Sequence, residues 1–202
     1  MIHILPGMGA NHRMYSAPAW QNLPDARFID WPLHRGESSI ADIANRIIAE
    51  TKISDGDIIV GSSLGGIVGC EIARTVSLKA LVLIGSAKNK DEVSSLLTLL
   101  HPLARLAPIE FVQMSVGKFP SELTQMFNQS QASFIRAMCA AIFDWPGLDE
   151  SGIKPLRIHG THDHVIPLPA KIDLVLDGGH LIAISHAEDC VRFITGLADH
   201  QC

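Results

Sequence analysis

Gly61-Ser62-Ser63-Leu64-Gly65-Gly66, "GSSLGG", decides how this chain is read. It follows the apolar run Asp57-Ile-Ile-Val60 and opens into "IVGCEIAR", which reads as a helix. Residues 61–65 fit G-x-S-x-G with Ser63 at the centre. At a sharp strand-to-helix turn, a central serine sits in a strained backbone conformation with its side chain standing free above the sheet. The positions two before and two after it are brought together, so both must be small, as Gly61 and Gly65 are. Centring the pattern on Ser62 would put Val60 and Leu64 there, and both are too bulky. Ser62 is therefore expected to pack or hydrogen-bond beside the site. The helix starting at Leu64 turns its positive dipole end towards the serine. The Leu64 NH is then a candidate oxyanion donor. A glycine-rich turn with incidental serines would show the same five letters; the strand before and the helix after favour the nucleophile.

Working outward, short apolar runs alternate with helical patterns. Candidate strands are Ile2–Leu5, Arg27–Asp30, Asp57–Val60, Lys79–Ile84, Pro155–His159 and Lys171–Leu176. Each is continuous and apolar, as expected of strands buried on both faces of a parallel sheet. Ile40, Ile43, Ala44, Ile47 and Ile48 recur at helical spacing and predict an amphipathic helix over 39–52. A helix runs from Leu64 to Thr75, and Cys190, Phe193, Ile194 and Leu197 mark a last one over about 186–199. This order predicts an α/β fold with helices on both faces of the sheet. Residues 88–150 break the alternation. They hold helical patterns at Leu96, Leu97, Leu100 and Leu103, then at Leu123, Met126, Phe127, Phe134, Met138 and Ile142, punctuated by Pro102, Pro108 and Pro120. Such a long connection between strands is read as a helical lid over one sheet edge.

A serine needs a base, and the base an orienting acid. In wound sheets, functional groups gather beyond the carboxyl ends of the strands. Asp163 follows the fifth run in "GTHDHVIP", and His180 follows the sixth in "DGGHLIAISHAED". The order Ser63, Asp163, His180 suits a nucleophile, acid and base on this scaffold. Asp177 is a rival acid at a strand end, where it more simply serves the turn; Asp144 is another, in the lid. After the first strand, "PGMGANHRMY" lets the backbone turn close to the serine, so the Met8 NH is the candidate second oxyanion donor. Taken by itself that stretch is an ordinary Gly/Pro turn.

The pieces "LPGMG", "GSSLGG", "HGTHDHVIP" and "GGHLIAISHAED" together resemble the α/β-hydrolase fold superfamily, in its order, from residue 5 to about 189. The resemblance implies a mainly parallel six-stranded sheet of order 2-1-3-4-5-6, with a core of 1–87 and 151–202 and a helical cap at 88–150. It also implies a small serine hydrolase with a Ser-His-Asp triad. Two departures stand out: the family's leading antiparallel hairpin is absent, and Pro6-Gly7 replaces its common His-Gly pair.

Composition narrows the function classes. The chain has 202 residues, which suggests one domain, and 47% apolar residues, enough for a sizeable core. Charged residues make up 18%, the net charge is −5, and no Lys/Arg cluster appears, which argues against nucleic acid as a partner. Cys70, Cys139, Cys190 and Cys202 form no C-x-x-C pair; the first three are read as small core hydrophobes. No apolar run approaches the ~20 residues of a membrane span, and no leader is evident, so the expected compartment is the cytoplasm. Among ten histidines, His159, His162, His164, His180 and His186 cluster around Asp163 in sequence and invite a metal reading. A catalytic zinc site takes three ligands in fixed geometry, and neighbours alternating along a strand end converge poorly; no metal and no cofactor are expected. His3, His12, His34, His101 and His200 are assigned to surface or structural roles. Met8, Met14 and Tyr15 are candidate walls of an apolar acyl pocket, and a small-molecule ester or thioester is the expected substrate. The same triad also serves amide and carbon–carbon bond hydrolysis, perhydrolysis, or a receptor that does not turn over.

Overall fold

The computed structural model of the chain describes residues 1–93 and 121–199. Six strands, β1 (Ile2–Leu5), β2 (Ala26–Phe28), β3 (Ile58–Ser62), β4 (Ala80–Ile84), β5 (Leu156–Gly160) and β6 (Leu174–Leu176), form one sheet of order 2-1-3-4-5-6. Every neighbouring pair is parallel. Fold class and strand order therefore match the expectation. The central strands are apolar on both faces because both faces are covered. Leu5, Ile59, Leu81 and Leu83 pack on one side with α2 (Ile40–Thr51) and α3 (Leu64–Ile72). Ile4, Val60, Val82, Ile84 and Ile158 pack on the other, with the short helix α1 (Pro18–Gln21) and the C-terminal helix.

Some element ends differ from the expected ones by a few residues. The second strand stops at Phe28 although the Ile29 NH still bonds the Ile4 carbonyl at 2.9 Å. The sixth begins only at Leu174, because Asp173 turns its carboxylate to the Arg157 NH at 2.7 Å. Helix α2 begins at a capping box: Ser39 accepts from the Asp42 NH, and Asp42 accepts from the Ser39 NH.

Between β4 and β5 the chain carries α4 (Ser121–Gln129) and α5 (Ala132–Asp144). The helical pattern around Leu96–Leu103 lies outside the described residues, as do His101, His200 and Cys202. Phe134, Met138 and Ala141 of α5 join the core beneath α2 and α3. The chain ends in α6 (Ile182–Ser185) and α7 (Ala187–Asp199). Cys70 and Cys190 are fully buried and Cys139 half-buried; burial pushes the Cys139 thiol up to about 11 and the Cys190 thiol up to about 12. Among the described residues no helix is long and apolar enough to cross a membrane.

Candidate active site

The site lies beyond the carboxyl ends of β3, β4, β5 and β6. Ser63 ends the β3 turn with φ 51° and ψ −119°, a backbone region that costs a non-glycine residue about 1–3 kcal/mol. Its surroundings hold it there. The Ser63 NH donates to the Ile84 carbonyl at 3.1 Å, and its own carbonyl accepts from the Ser86 hydroxyl at 2.7 Å. The crossing expected from the spacing is present: a Cβ on Gly61 would collide with the backbone of Gly65 and Gly66. A Cβ on Gly65 would in turn strike the carbonyl oxygens of Leu5 and Pro6.

Ser63, His180 and Asp163 come together in a line. His180 Nε2 is 2.9 Å from Ser63 Oγ, and His180 Nδ1 is 2.8 Å from Asp163 Oδ2. A carboxylate only accepts, so Nδ1 carries the proton and Nε2 accepts from the serine hydroxyl. Asp163 is buried. Its Oδ1 accepts from the NH groups of Val165 and Ile166, both at 2.9 Å. Burial alone would raise the Asp163 carboxyl; its bond to His180 and the two backbone donors outweigh that and hold it below its ordinary range. The acid therefore stays charged.

The rival acids are elsewhere. Asp177 is exposed and bonds Thr161 Oγ1 at 3.3 Å, with the exposed His162 ring also 3.3 Å away. Asp144 is exposed at the end of α5. His164 is exposed and His186 half-buried, and among the described residues no three His, Cys, Asp or Glu side chains converge as a metal-binding set.

The expected oxyanion donors flank the serine. Leu64 is the first residue of α3. Met8 belongs to the loop after β1, in which a Cβ on Gly7 would be 3.7 Å from Ser63 Cβ. Among the described residues no group accepts a hydrogen bond from either NH. Two pocket assignments need correction. Tyr15 is fully buried: its hydroxyl donates to the Leu5 carbonyl at 2.7 Å and shares a second hydrogen bond with Ser62 Oγ at 2.9 Å. Met14 is also in the core, where its sulfur accepts from the Gly7 NH at 3.4 Å. Both brace the first loop and leave almost no surface free for lining a pocket. Ser62 packs beside the site as expected.

Three more neighbours complete the surroundings of the site. Gly85 follows β4 with φ +51°, and a Cβ there would lie 3.0 Å from the His180 carbonyl and 3.5 Å from Asp163 Oδ2. Its only sequence signal is a glycine directly after a strand. Ser86 is the second, through its bond to the Ser63 carbonyl. The third is His159, fully buried in β5, whose Nε2 donates to the Ile166 carbonyl at 2.8 Å and lies 3.4 Å from Asp163 Oδ2. Burial lowers its pKa, so the ring is neutral.

The sequence profile of the alpha/beta hydrolase family matches residues 4–193, and the chain belongs to that family. Similar solved structures include a thermophilic esterase from Thermogutta terrifontis, 14% identical, with a TM-score of 0.70 over 98% of this chain and 88% of that one. An enol-lactonase from Burkholderia xenovorans LB400 is 20% identical, with a TM-score of 0.75 over 98% and 90% of the two chains. A hydrolase from Oleispira antarctica is 14% identical, with a TM-score of 0.77 over 98% and 91%. At these identities the likeness is one of fold. No curated protein matches the chain by sequence.

Proposed function

We propose that the protein is a serine hydrolase that cleaves a small, apolar acyl ester through a covalent acyl-enzyme on Ser63. The observation that carries this is the hydrogen-bonded line from Ser63 Oγ through His180 to Asp163, on a turn strained at the serine itself. His180 Nε2 takes the serine proton as Oγ attacks the acyl carbon, then returns it to the leaving alcohol. Charged Asp163 holds the imidazole in the required tautomer and stabilises its protonated form. The Met8 and Leu64 NH groups receive the oxyanion, each contributing a factor of about 10²–10³ in turnover. Water, deprotonated by the same histidine, releases the acid.

The β4–β5 connection with α4 and α5 acts in this reading as the cap over the site. Met8 stays half-exposed at the loop and touches α5, which supports an apolar wall; Met14 and Tyr15 no longer contribute to it. The test is a fluorophosphonate probe together with a p-nitrophenyl ester and thioester chain-length series. Sustained turnover with a short-chain optimum and stoichiometric labelling, both lost in Ser63→Ala, are expected. Labelling that persists in Ser63→Ala, or a single burst with no steady state, overturns the proposal.

A further inference from the structure

We propose that Trp31 is a positioning residue that aims the Met8 oxyanion donor and ties it to α5. The inference rests on the serine-hydrolase reading above and adds a residue to it. Trp31 sits in the loop after β2, half-buried, and its Nε1–H donates to the Gly7 carbonyl at 2.9 Å. The Ala10 NH donates to the same oxygen at 3.2 Å. The Gly7 carbonyl and the Met8 NH belong to one peptide unit, which is planar and trans. In such a unit the C=O and N–H point in opposite directions. Fixing the oxygen on the indole therefore fixes where the Met8 hydrogen points, next to Gly7, on which a Cβ would touch Ser63 Cβ at 3.7 Å. Rotating this peptide would break both bonds and turn an acceptor towards the developing oxyanion, replacing attraction with repulsion.

The indole is held from the other side by the β4–β5 connection. Its ring lies against Phe134 of α5, with centroids 5.3 Å apart and planes inclined by 39°. Two more contacts bind the same loop to these helices. The Cys139 thiol of α5 donates to Met8 Sδ at 3.5 Å, and the Ser130 hydroxyl donates to the Gly9 carbonyl at 3.0 Å. Gly9, at φ +72°, leaves no room for a Cβ because the Phe127 ring of α4 lies against it. A displacement of α5 thus reaches the donor through Trp31 and not only through the pocket wall. Indole N–H has no acceptor lone pair to offer and a single direction, so its bond to Gly7 is specific.

The test is Trp31→Phe, which keeps a ring against Phe134 and removes only the donor. The expected result is kcat lowered about tenfold or more, since a misaimed donor loses part of the 10²–10³ that a whole one supplies, with KM unchanged within twofold. Inhibition by an alkylboronic acid, whose adduct places a tetrahedral oxygen at the oxyanion position, weakens by the same factor. The pH profile keeps its shape because the triad is untouched. Wild-type kcat and boronate affinity, or a loss confined to KM, overturn the inference. Ser63→Ala separates the two levels: if it abolishes turnover while Trp31→Phe leaves kcat intact, Trp31 alone is misassigned. If Ser63→Ala still turns over, the serine reading falls and this inference with it. Should Trp31→Phe not fold, Phe134→Leu reads the same coupling from α5. A severalfold drop in kcat at constant KM is expected there, and unchanged kcat overturns the proposal.

Discussion

The sheet carries a buried histidine–aspartate pair at each end, and only at one end does the histidine ring reach a hydroxyl. Beyond the carboxyl ends, His180 Nδ1 bonds Asp163 Oδ2 at 2.8 Å and Nε2 is left to reach Ser63. At the opposite end, His3 Nε2 bonds Asp57 Oδ2 at 3.1 Å, and His3 Nδ1 is buried with no hydrogen-bond partner among the described residues. Both acids accept backbone NH groups: Asp163 from Val165 and Ile166, Asp57 from Ser54 at 3.0 Å. Burial works to raise the Asp57 carboxyl, and the Ser54 NH, the Met1 ammonium and His3 outweigh it, bringing it to about 2. Both pairs join a histidine ring nitrogen to a carboxylate, through Nδ1 in His180 and Nε2 in His3, and Asp57 also holds the Met1 ammonium. What differs is the second ring nitrogen, which meets a strained serine at one end and has no hydrogen-bond partner among the described residues at the other. A histidine–carboxylate pair is thus no mark of a catalytic site by itself; the third group, supplied by the turn at Ser63, sets the two ends apart.

Alanine at His180 or Ser63 tests this contrast most sharply. Ester turnover is expected to fall roughly 10⁴-fold or more, measured on the best p-nitrophenyl ester, while His3→Ala keeps kcat. Equal losses from His180→Ala and His3→Ala would break the contrast. Gly85→Ala comes next: it forces a Cβ at positive φ to within 3.0 Å of the His180 carbonyl. Displacing the base by a fraction of an ångström should lower kcat by about 10–10²-fold, with KM little changed. Asp57→Asn should leave turnover alone but cost about 1–3 kcal/mol in chemical denaturation, the range for leaving buried polar groups poorly paired. Because the folded carboxyl is depressed, that difference is fully present above its ordinary value of 3.8 and vanishes as pH falls through about 2.

The smallest effect is in the slope of stability with pH. His3 is held below its ordinary value of 6.5, first by burial and against the pull of Asp57. The unfolded chain therefore binds the proton before the folded one, and stability falls as pH drops below 6.5. Each such histidine contributes at most about 1.4 kcal/mol per pH unit. His3→Gln should make thermal unfolding between pH 6.5 and 5 less steep; an unchanged slope would show that the buried ring does not titrate on unfolding. His159 belongs to the same class, and His159→Gln adds a second, separable decrement.

The comparison also explains what was legible in the sequence. The turn at Ser63 could be read because its demands are local: two glycines, a strand before and a helix after. Asp163 and His180 could be placed because the ends of apolar runs mark the edge of the sheet. The strand order followed from family resemblance, not from the runs themselves. Tyr15 was misjudged because an aromatic residue in a loop near a site is equally suited to line it or to brace it. Its bonds to Leu5 and Ser62, up to 47 positions away, decide the matter. The contacts of Gly85, Ser86, His159 and Trp31 are hidden from the sequence for the same reason, since each depends on a partner fixed only by tertiary packing. Single residues of this kind leave no periodicity to detect.

One consequence concerns how the molecule comes into being. Ser63 and His180 are 117 positions apart, and the acid between them follows β5, after the β4–β5 connection. The elbow and its brace Ser86 belong to the first part of the chain, whereas Asp163 and His180 reach Ser63 only through the pairing of β5 with β4 and of β6 with β5. Long-range parallel pairings of this kind are slow to form. A chain without β5 and β6 in place has neither Asp163 nor His180 beside Ser63. The hydrogen-bonded line therefore reports the completed topology of the sheet.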